Sequence, residues 1–535
     1  MPKPHDPIEL ELFRHLFTSL TEEMGIVLRK TSFSANIKER RDYSCALYDA
    51  SGDTIAMGDH MPVHLGAMPA SLAAARAAFP IEPGDVVLLN DPFQGGTHLP
   101  DITAVSGVFL PREGKARAHR PRFFLANRAH HADVGGMSPG SMPMAREIYQ
   151  EGIRIPPVKI IRRGTLDREL LNLILANVRT PVEREGDLLA QFMSLERGAA
   201  RLLEAVERYG IATVERNARA LLDYSERMMR HALSELPRGS FSFEDMLDGD
   251  GIGDAPLPIR VRITLDGRSA QVDFTGTAPQ SPGSVNANLP ITQAATMYVF
   301  RCLLTEDVPF TAGLMRAISI HAPAGTLVNA LAPAAMAAGN VETSQRITDT
   351  LLGALAQAAP QRIPAASCGT MNNVTFGGYD PVRHRPFAYY ETIAGGMGAH
   401  ANGNGLDATH THMTNSWNTP VEAFEHLYPM RIRAYRVRPA TPSTSEPSAS
   451  YHTGGRGIEK QFEFLTPTSI TLLTDRRTHS PYGLQGGAPG APGRNWIRSP
   501  RAPRRTLPAK CRLDAAAGDT LIIETPHGGD FGSLS

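Results

Sequence analysis

"NDPFQGGTHLPD" (Asn90–Asp101) begins where the apolar run "DVVLL" ends and finishes where "ITAVSGVF" begins. Further along, "NRAHHADVGG" (Asn127–Gly136) repeats the arrangement, with the apolar "FFLA" running into a polar end. Loops held at strand ends by a rigid scaffold are where sites are commonly built. Asp91, His98, Asp101, His130, His131 and Asp133 all fall in this window, and each can bind a metal or move a proton. Gly95-Gly96 lets the chain curl, so that His98 and Asp101 can converge on one ion. Either His130 or His131 can add a third ligand, and the other, with Asp133, can orient a ligating ring. Imidazole and carboxylate together suit Mn, Zn or Fe, with the hard carboxylates favouring Mn. The competing reading is a polar loop whose side chains cap turns and face water. Spacing alone leaves both readings open.

The chain has 535 residues, enough for two to four domains. Lys+Arg and Asp+Glu balance at 54 each, so no net basic field exists to hold a nucleic acid. The basic stretch "RNWIRSPRAPRR" lies among prolines and reads as a solvated loop. Cys45, Cys302, Cys368 and Cys511 form no C-x-x-C pair, which fits reduced thiols. Neither a signal sequence nor an apolar run long enough to span a membrane occurs, and the cytoplasm is the expected compartment.

Asp6, Pro7 and Glu9 read as the capped start of a helix whose apolar face runs from Phe13 to Leu28. Short apolar runs between Arg41 and Val108 read as strands, with "MPASLAAARAAF" a helix among them. Asp187 to Leu236 reads as an antiparallel helical pair broken at Gly210. Strands follow, with Asp266-Gly267 as a hairpin turn. "PATPSTSEPSAS" reads as a low-complexity surface loop. The expected class is a mixed α/β (α+β), multidomain fold. Residues 1–180 form a strand-rich region with the metal loops and 181–237 a helical hairpin. Residues 238–435 form an α/β region with glycine-rich pocket loops, and 451–535 a β-rich end.

No phosphate loop, G-x-S-x-G elbow or H-E-x-x-H occurs. A second polar cluster, "YYETIAGGMGAHANGNGLDATHTHMTNSWNTPVEAFE", carries Glu391, His400, Asp407, His410, His412, Asn415 and Asn418 among glycines. Such glycines let backbone N–H groups approach a ligand closely, or the polar groups simply satisfy their own turns. "GNVETSQRITD" (Gly339–Asp349) reads first as a capped helix start and second as a binding turn.

The succession "NIKERRDYSCALYD", "MPVHLGAM", "NDPFQGGTHLPD", "NRAHHADVGG", "GNVETSQRITD", "YYETIAGGMGAHANGNG", "THTHMTNSWNTPVEAFE", "PYGLQGGAPG" and "IIETPHGGDFG" resembles the hydantoinase B family. That family includes the corresponding part of 5-oxoprolinase and the large subunit of acetone carboxylase. The resemblance runs over nearly the whole chain. It implies one half of an ATP-dependent, hetero-oligomeric enzyme, with the nucleotide carried by a hydantoinase A-like ATPase subunit. The partner phosphorylates a lactam, hydantoin or enol oxygen, and this chain completes the reaction at a bound divalent metal. The resemblance maps ligands onto Asp42, His98, Asp101 and His130, with His131, Asp133 and His64 as neighbours. His98, Asp101, His131 and Asp133 are the groups expected to serve the catalytic step. His64, Glu391, His400, His410 and His412 are expected to line the pocket. Where the family carries a Ser-Gly-Gly turn, this chain has "ATPSTSEPSASYHTGGRG". A cyclic-amide hydrolase of the N-methylhydantoinase or 5-oxoprolinase type is the leading expectation. A ketone carboxylase subunit is second, and an accessory protein with a structural metal is third.

Overall fold

The computed structural model describes residues 6–58, 61–110, 120–439, 450–500 and 502–532. Most of the low-complexity stretch, and of the family departure it contains, lies outside them. The first helix, Pro7–Thr31, starts as expected: the Asp6 side chain accepts from the Ile8 N–H at 3.0 Å. It buries Phe13, Phe17, Leu20, Met24 and Leu28 along one face.

That face closes one side of a seven-stranded sheet. Its order is Thr54–Met57, Tyr43–Asp49, Phe123–His130, Asp101–Val108, Val86–Leu89, Val158–Arg162 and Thr165–Leu166. Every pairing is antiparallel. Alternate residues enter two cores. Cys45, Leu47, Leu88 and Ala104 pack with the first helix, while Ala46, Tyr48, Val87 and Val105 pack with Met68, Leu72 and Ala75 of the helix Met68–Ala78. Burial on both faces explains why these strands read as continuous apolar runs.

The helical pair is Pro181–Tyr209 and Ile211–Ser234, joined by Gly210 alone at φ 77°. Leu188, Leu195, Leu202, Val214 and Leu221 enter the same core as Phe13. A second layer carries the sheet Gly239–Leu247, Leu257–Leu265, Ala270–Asp273 and Ile318–His321 against the helices Leu289–Arg301 and Ser344–Ala358. The C-terminal third is strand-rich, and its core is aromatic. Phe376 meets Phe462 edge-on at 5.0 Å and Phe464 at 5.3 Å, the geometry that ring quadrupoles favour. None of the four cysteines forms a disulfide, and no helix among the described residues is long and apolar enough to cross a membrane.

Buried ion pairs lock the central layer to the C-terminal strands. Arg346 reaches Asp245 and Asp349 at 3.1 Å and Asp475 at 3.0 Å. Arg476 reaches Asp245 at 2.6 Å and Asp349 at 2.7 Å, and Lys510 reaches Asp475 at 2.5 Å. Removing Arg346 leaves its three carboxylates facing only Arg476 and Lys510, and an uncompensated buried charge costs about 3–5 kcal/mol. Thermal unfolding of Arg346→Met therefore shows a clear loss of Tm; a variant as stable as the parent would contradict this role for the network.

Candidate metal centre

Sheet register builds the centre. Asp101 is the first residue of one strand and His130 the last of its neighbour, and the two are direct cross-strand partners. The preceding loop returns His98 to the same point. Asn90 pins that loop, donating to the Leu99 carbonyl at 2.7 Å and the Ile153 carbonyl at 3.0 Å while accepting from the Ile155 N–H at 2.7 Å. Gly95 takes φ 93°, and a Cβ on Gly96 would lie 2.2 Å from the Asn90 carbonyl oxygen. Both glycines are required by this curl.

His98, Asp101 and His130 each offer a ligand atom, all within 4.8 Å of one another, and all three residues are buried. His98 Nε2 lies 3.1 Å from Asp101 Oδ1, and His130 Nδ1 lies 3.2 Å from the same oxygen. His64 Nε2 stands 3.3 Å from Asp101 Oδ2, which also accepts from the Thr97 hydroxyl at 3.0 Å. Burial pushes the Asp101 carboxyl up, but the charges of His98 and His64 and hydrogen bonds from His130 and His64 outweigh it. Together they hold it well below the usual carboxylate range. Burial lowers His130, against the pull of Asp101 and Asp42.

The tautomer of His98 is set from outside. Its Nδ1 lies 3.2 Å from the Ala337 carbonyl, which can only accept, so Nδ1 carries the proton. Only in the neutral ring does Nε2 then present a lone pair to the carboxylate oxygen 3.1 Å away; in the charged ring it donates to that oxygen. With the ring neutral, two acceptors at that distance call for a donor or a cation between them. The Asn340 Nδ2 donates there, 3.1 Å from His98 Nε2 and 3.3 Å from Asp101 Oδ2. His130 Nε2 has no hydrogen-bond partner. This donor set fits a divalent cation, with a second ring atom outside the strand pair already committed to orienting its ligand.

Other expected residues lie apart. Successive strand residues face opposite ways, so His131 turns from His130 and meets Gln191 Oε1 at 3.0 Å through Nε2. Burial and Arg184 lower His131 to about 4. Asp133 organises a loop: it accepts from the N–H groups of Gly135, Gly140 and Arg179 and pairs with the Arg179 guanidinium at 3.0 Å. Asp91 likewise accepts from Phe93 N–H and Gln94 within its own loop. The Asp42 carbonyl accepts from His130 N–H at 3.0 Å, and its charge acts on His130 and Tyr390. Glu391 is buried in a pair with Lys460 at 2.7 Å. His400 sits in a part-exposed turn, accepting from Asn402 N–H. His410 and His412 are part-exposed as residues, yet both ring nitrogens of His410 and Nε2 of His412 are buried without hydrogen bonds. Burial lowers both to about 4.

Four further residues stand at or near the centre, none named individually from the sequence. Tyr390 stacks on His130 with centroids 4.3 Å apart and donates to Asn373 at 2.8 Å. Asn340 lies in a π-turn, Gly339–Thr343, that leads into the helix Ser344–Ala358; no side chain caps that start, which corrects the capped-helix reading. π-turns concentrate at functional sites. Glu342, in the same turn, is fully buried, and burial and Asp475 push it up to about 7. Glu151 accepts from the N–H groups of Met336 and Ala337, both at 2.8 Å, and so fixes the peptide that holds His98. A surface cleft of about 140 Å³ between Leu16, Leu20, Arg201 and Arg208 contains none of the candidate residues.

The fold mounts a fully buried His/Asp cluster, spaced as a cation site would need, on antiparallel strand ends. The family described as Hydantoinase B/oxoprolinase matches residues 6–534, and the chain belongs to that family. It is 36% identical to 5-oxoprolinase 1 of Arabidopsis thaliana over 99% of this chain, but spans only 42% of that relative's length. The B component of a putative D-/L-hydantoinase of Pseudomonas sp. is 31% identical, with 99% of this chain and 90% of the relative covered. Among solved structures, ATP-dependent caprolactamase from Pseudomonas jessenii superposes with a TM-score of 0.87 at 27% identity, over 99% of this chain and 91% of that one. Acetone carboxylase shares the fold, with a TM-score of 0.87 at 17% identity over 99% of this chain and 76% of that chain.

This geometry is open to mutation at two points. His98→Ala lowers Mn affinity by more than ~100-fold, read by metal analysis after dialysis, while His400→Ala keeps the parental stoichiometry; equal metal in both variants would contradict the centre. The second point is Glu151, which burial pushes up to about 8 from an ordinary 4.5. Between those values the folded chain holds a proton that the unfolded chain has released. Stability from this group is therefore full below 4.5 and falls as pH rises, by about 1.4 kcal/mol per pH unit. In the metal-free protein, Glu151→Gln flattens that decline, and its Tm exceeds the parent's at pH 8 but not near 4.5; parallel profiles would contradict the shift.

Proposed function

We propose that the chain is the B-type part of an ATP-dependent cyclic-amide hydrolase and completes the ring opening of a phosphorylated lactam or hydantoin. One observation carries the reading: His98, Asp101 and His130 bring three ligand atoms within 4.8 Å in a buried site, with the His98 proton held on the far nitrogen by Ala337. A divalent ion bound there, Mn by preference and Zn or Fe as alternatives, polarises an acyl oxygen and lowers the pKa of a bound water to about 7.

This chain's residues supply the rest. Asp101 and the imidazoles keep the site anionic and oriented, and Asp42 is proposed as a fourth ligand. Tyr390 covers one face of His130 and helps exclude bulk water. His131 and Asp133, turned toward Gln191 and Arg179, support the strand end that presents His130. Phosphorylation of the amide oxygen makes its carbon electrophilic and provides a leaving group. The sequence carries no phosphate loop, and the Pseudomonas hydantoinase relative is itself one component of a multi-subunit protein. Both support an ATPase partner of the hydantoinase A type, in a cytoplasmic hetero-oligomer.

The test is phosphate release from ATP by the chain combined with such a partner. Substrates are 5-oxoproline, hydantoins, a larger lactam, and ketone with bicarbonate. Ring-dependent release is the expected result, with about one metal per chain. Release only with ketone and bicarbonate would replace the hydrolase by a carboxylase. Metal without any turnover would leave an accessory protein with a structural ion.

A further inference from the structure

Five described arginines are fully buried: Arg40, Arg128, Arg184, Arg346 and Arg476. The last three each pair with an aspartate. Arg40 and Arg128 form no ion pair among the described residues, and both flank the candidate metal centre. Arg128 holds the Thr97 hydroxyl that donates to Asp101. Arg40 stands behind His130. A buried charge without a counter-charge is costly unless hydrogen bonds meet it in full. For Arg40 they do. Its Nε donates to the Trp417 carbonyl at 3.3 Å, and its Nη1 to Asn36 Oδ1 at 2.6 Å and the Tyr390 carbonyl at 2.8 Å. Its Nη2 donates to the Thr392 hydroxyl at 2.8 Å and the Ser416 hydroxyl at 3.2 Å. A guanidinium carries five N–H groups, and all of them are spent.

Three routes lead from this guanidinium to His130. Asn36, held through its Oδ1, donates from Nδ2 to the His130 carbonyl at 2.6 Å. The Asn36 carbonyl accepts from Asp42 N–H at 3.2 Å, and the Asp42 carbonyl accepts from His130 N–H at 3.0 Å. Both backbone groups of His130 are thus fixed from the segment that Arg40 anchors. The third route is a ring. Tyr390, its carbonyl tied to Nη1, stacks on the His130 imidazole with planes 19° apart and centroids at 4.3 Å. The guanidinium lies against the same ring, 4.9 Å from its centroid, a contact that a cation and an aromatic face both favour.

We infer that Arg40 is a positioning residue for the metal centre, setting the place and plane of the His130 imidazole through Asn36 and Tyr390. This role rests on the reading of His98, Asp101 and His130 as a cation site. Planarity is what the position demands. A lysine would carry the same charge, but its three donors on a tetrahedral head cannot meet five acceptors arranged around a fork. Groups that orient a metal ligand from behind cost about 10–100-fold in metal affinity when they are lost.

Mn affinity of the chain, read by calorimetry, and the Mn EPR spectrum of the loaded chain provide the test. Arg40→Lys keeps the charge, lowers Mn affinity by at least about tenfold and changes the zero-field splitting, because His130 is no longer held in one orientation. Asn36→Leu cuts the link to the His130 carbonyl with Arg40 in place, and has the same two effects even where Arg40→Lys does not fold. Leu202→Ala controls for lost stability alone: Leu202 is a core residue about 16 Å along its helix from Gln191, the partner of His131. It lowers Tm and keeps the parental affinity and spectrum. Parental affinity and spectrum in both Arg40→Lys and Asn36→Leu, or an equal loss in Leu202→Ala, would overturn the assignment. Where the parent binds Mn in that case, only the role of Arg40 falls. A parent that binds none removes the cation site, and this role with it.

Discussion

A fully buried carboxylate surrounded by imidazoles is the constraint from which the rest of this structure follows. Removing Asp101 from water costs several kcal/mol unless positive charge or hydrogen-bond donors meet it. No Lys or Arg pairs with it among the described residues; Arg128 reaches it only through Thr97. Its neighbours are His98, His64 and His130. Ala337 holds a proton on His98 Nδ1 and so turns Nε2 toward Asp101. Donors from Thr97 and Asn340 and the three imidazoles meet the carboxylate, and His98, Asp101 and His130 are spaced as a ligand set. Strand register, the Asn90 clamp and the Glu151 clamp all serve to keep it in place.

The unpartnered polar atoms give a second view of the same organisation. Surrounding packing is dense, yet His130 Nε2, Asn340 Oδ1, Gln345 Oε1 and Asp349 Oδ1 are left open. Elsewhere the fold meets its buried charges carefully, as with Glu391 against Lys460 and the Arg346 network. Unpartnered buried atoms occur elsewhere as well, at Tyr48, Thr180, Arg184 and Ser469 among others. The likeness to caprolactamase, which covers nearly the whole of both chains, places this region in a fold already used for ATP-dependent amide chemistry in that protein.

Much of this was legible in the sequence. The first helix, the helical pair broken at Gly210 and the strands flanking "NDPFQGGTHLPD" follow from capping, periodicity and turn chemistry. His98, Asp101 and His130 stand out because the loop between strand ends is short and rich in ligating types. What stayed hidden comes from distant chain. Asn340 is read from sequence first as part of a capped helix start and second as part of a binding turn, and nothing local announces a π-turn. Its cause is tertiary: a Cβ on Gly339 would lie 1.7 Å from the Asn286 carbonyl, so close packing bends the chain there. Glu391 drew attention as a charged residue, but strand alternation sends it to Lys460 and gives the centre its neighbour Tyr390 instead. His131 and Asp133 share a motif with His130 and not its direction, since alternation and loop closure turn them away.

The central claim is that His98, Asp101 and His130 hold a cation. Anomalous diffraction from crystals grown with Mn addresses it most directly. The account predicts one strong peak bonded to His98 Nε2, an Asp101 carboxylate oxygen and His130, with the Asn340 amide withdrawn from between them. A peak elsewhere, or none at this centre with the Asn340 bonds to His98 and Asp101 intact, would contradict it.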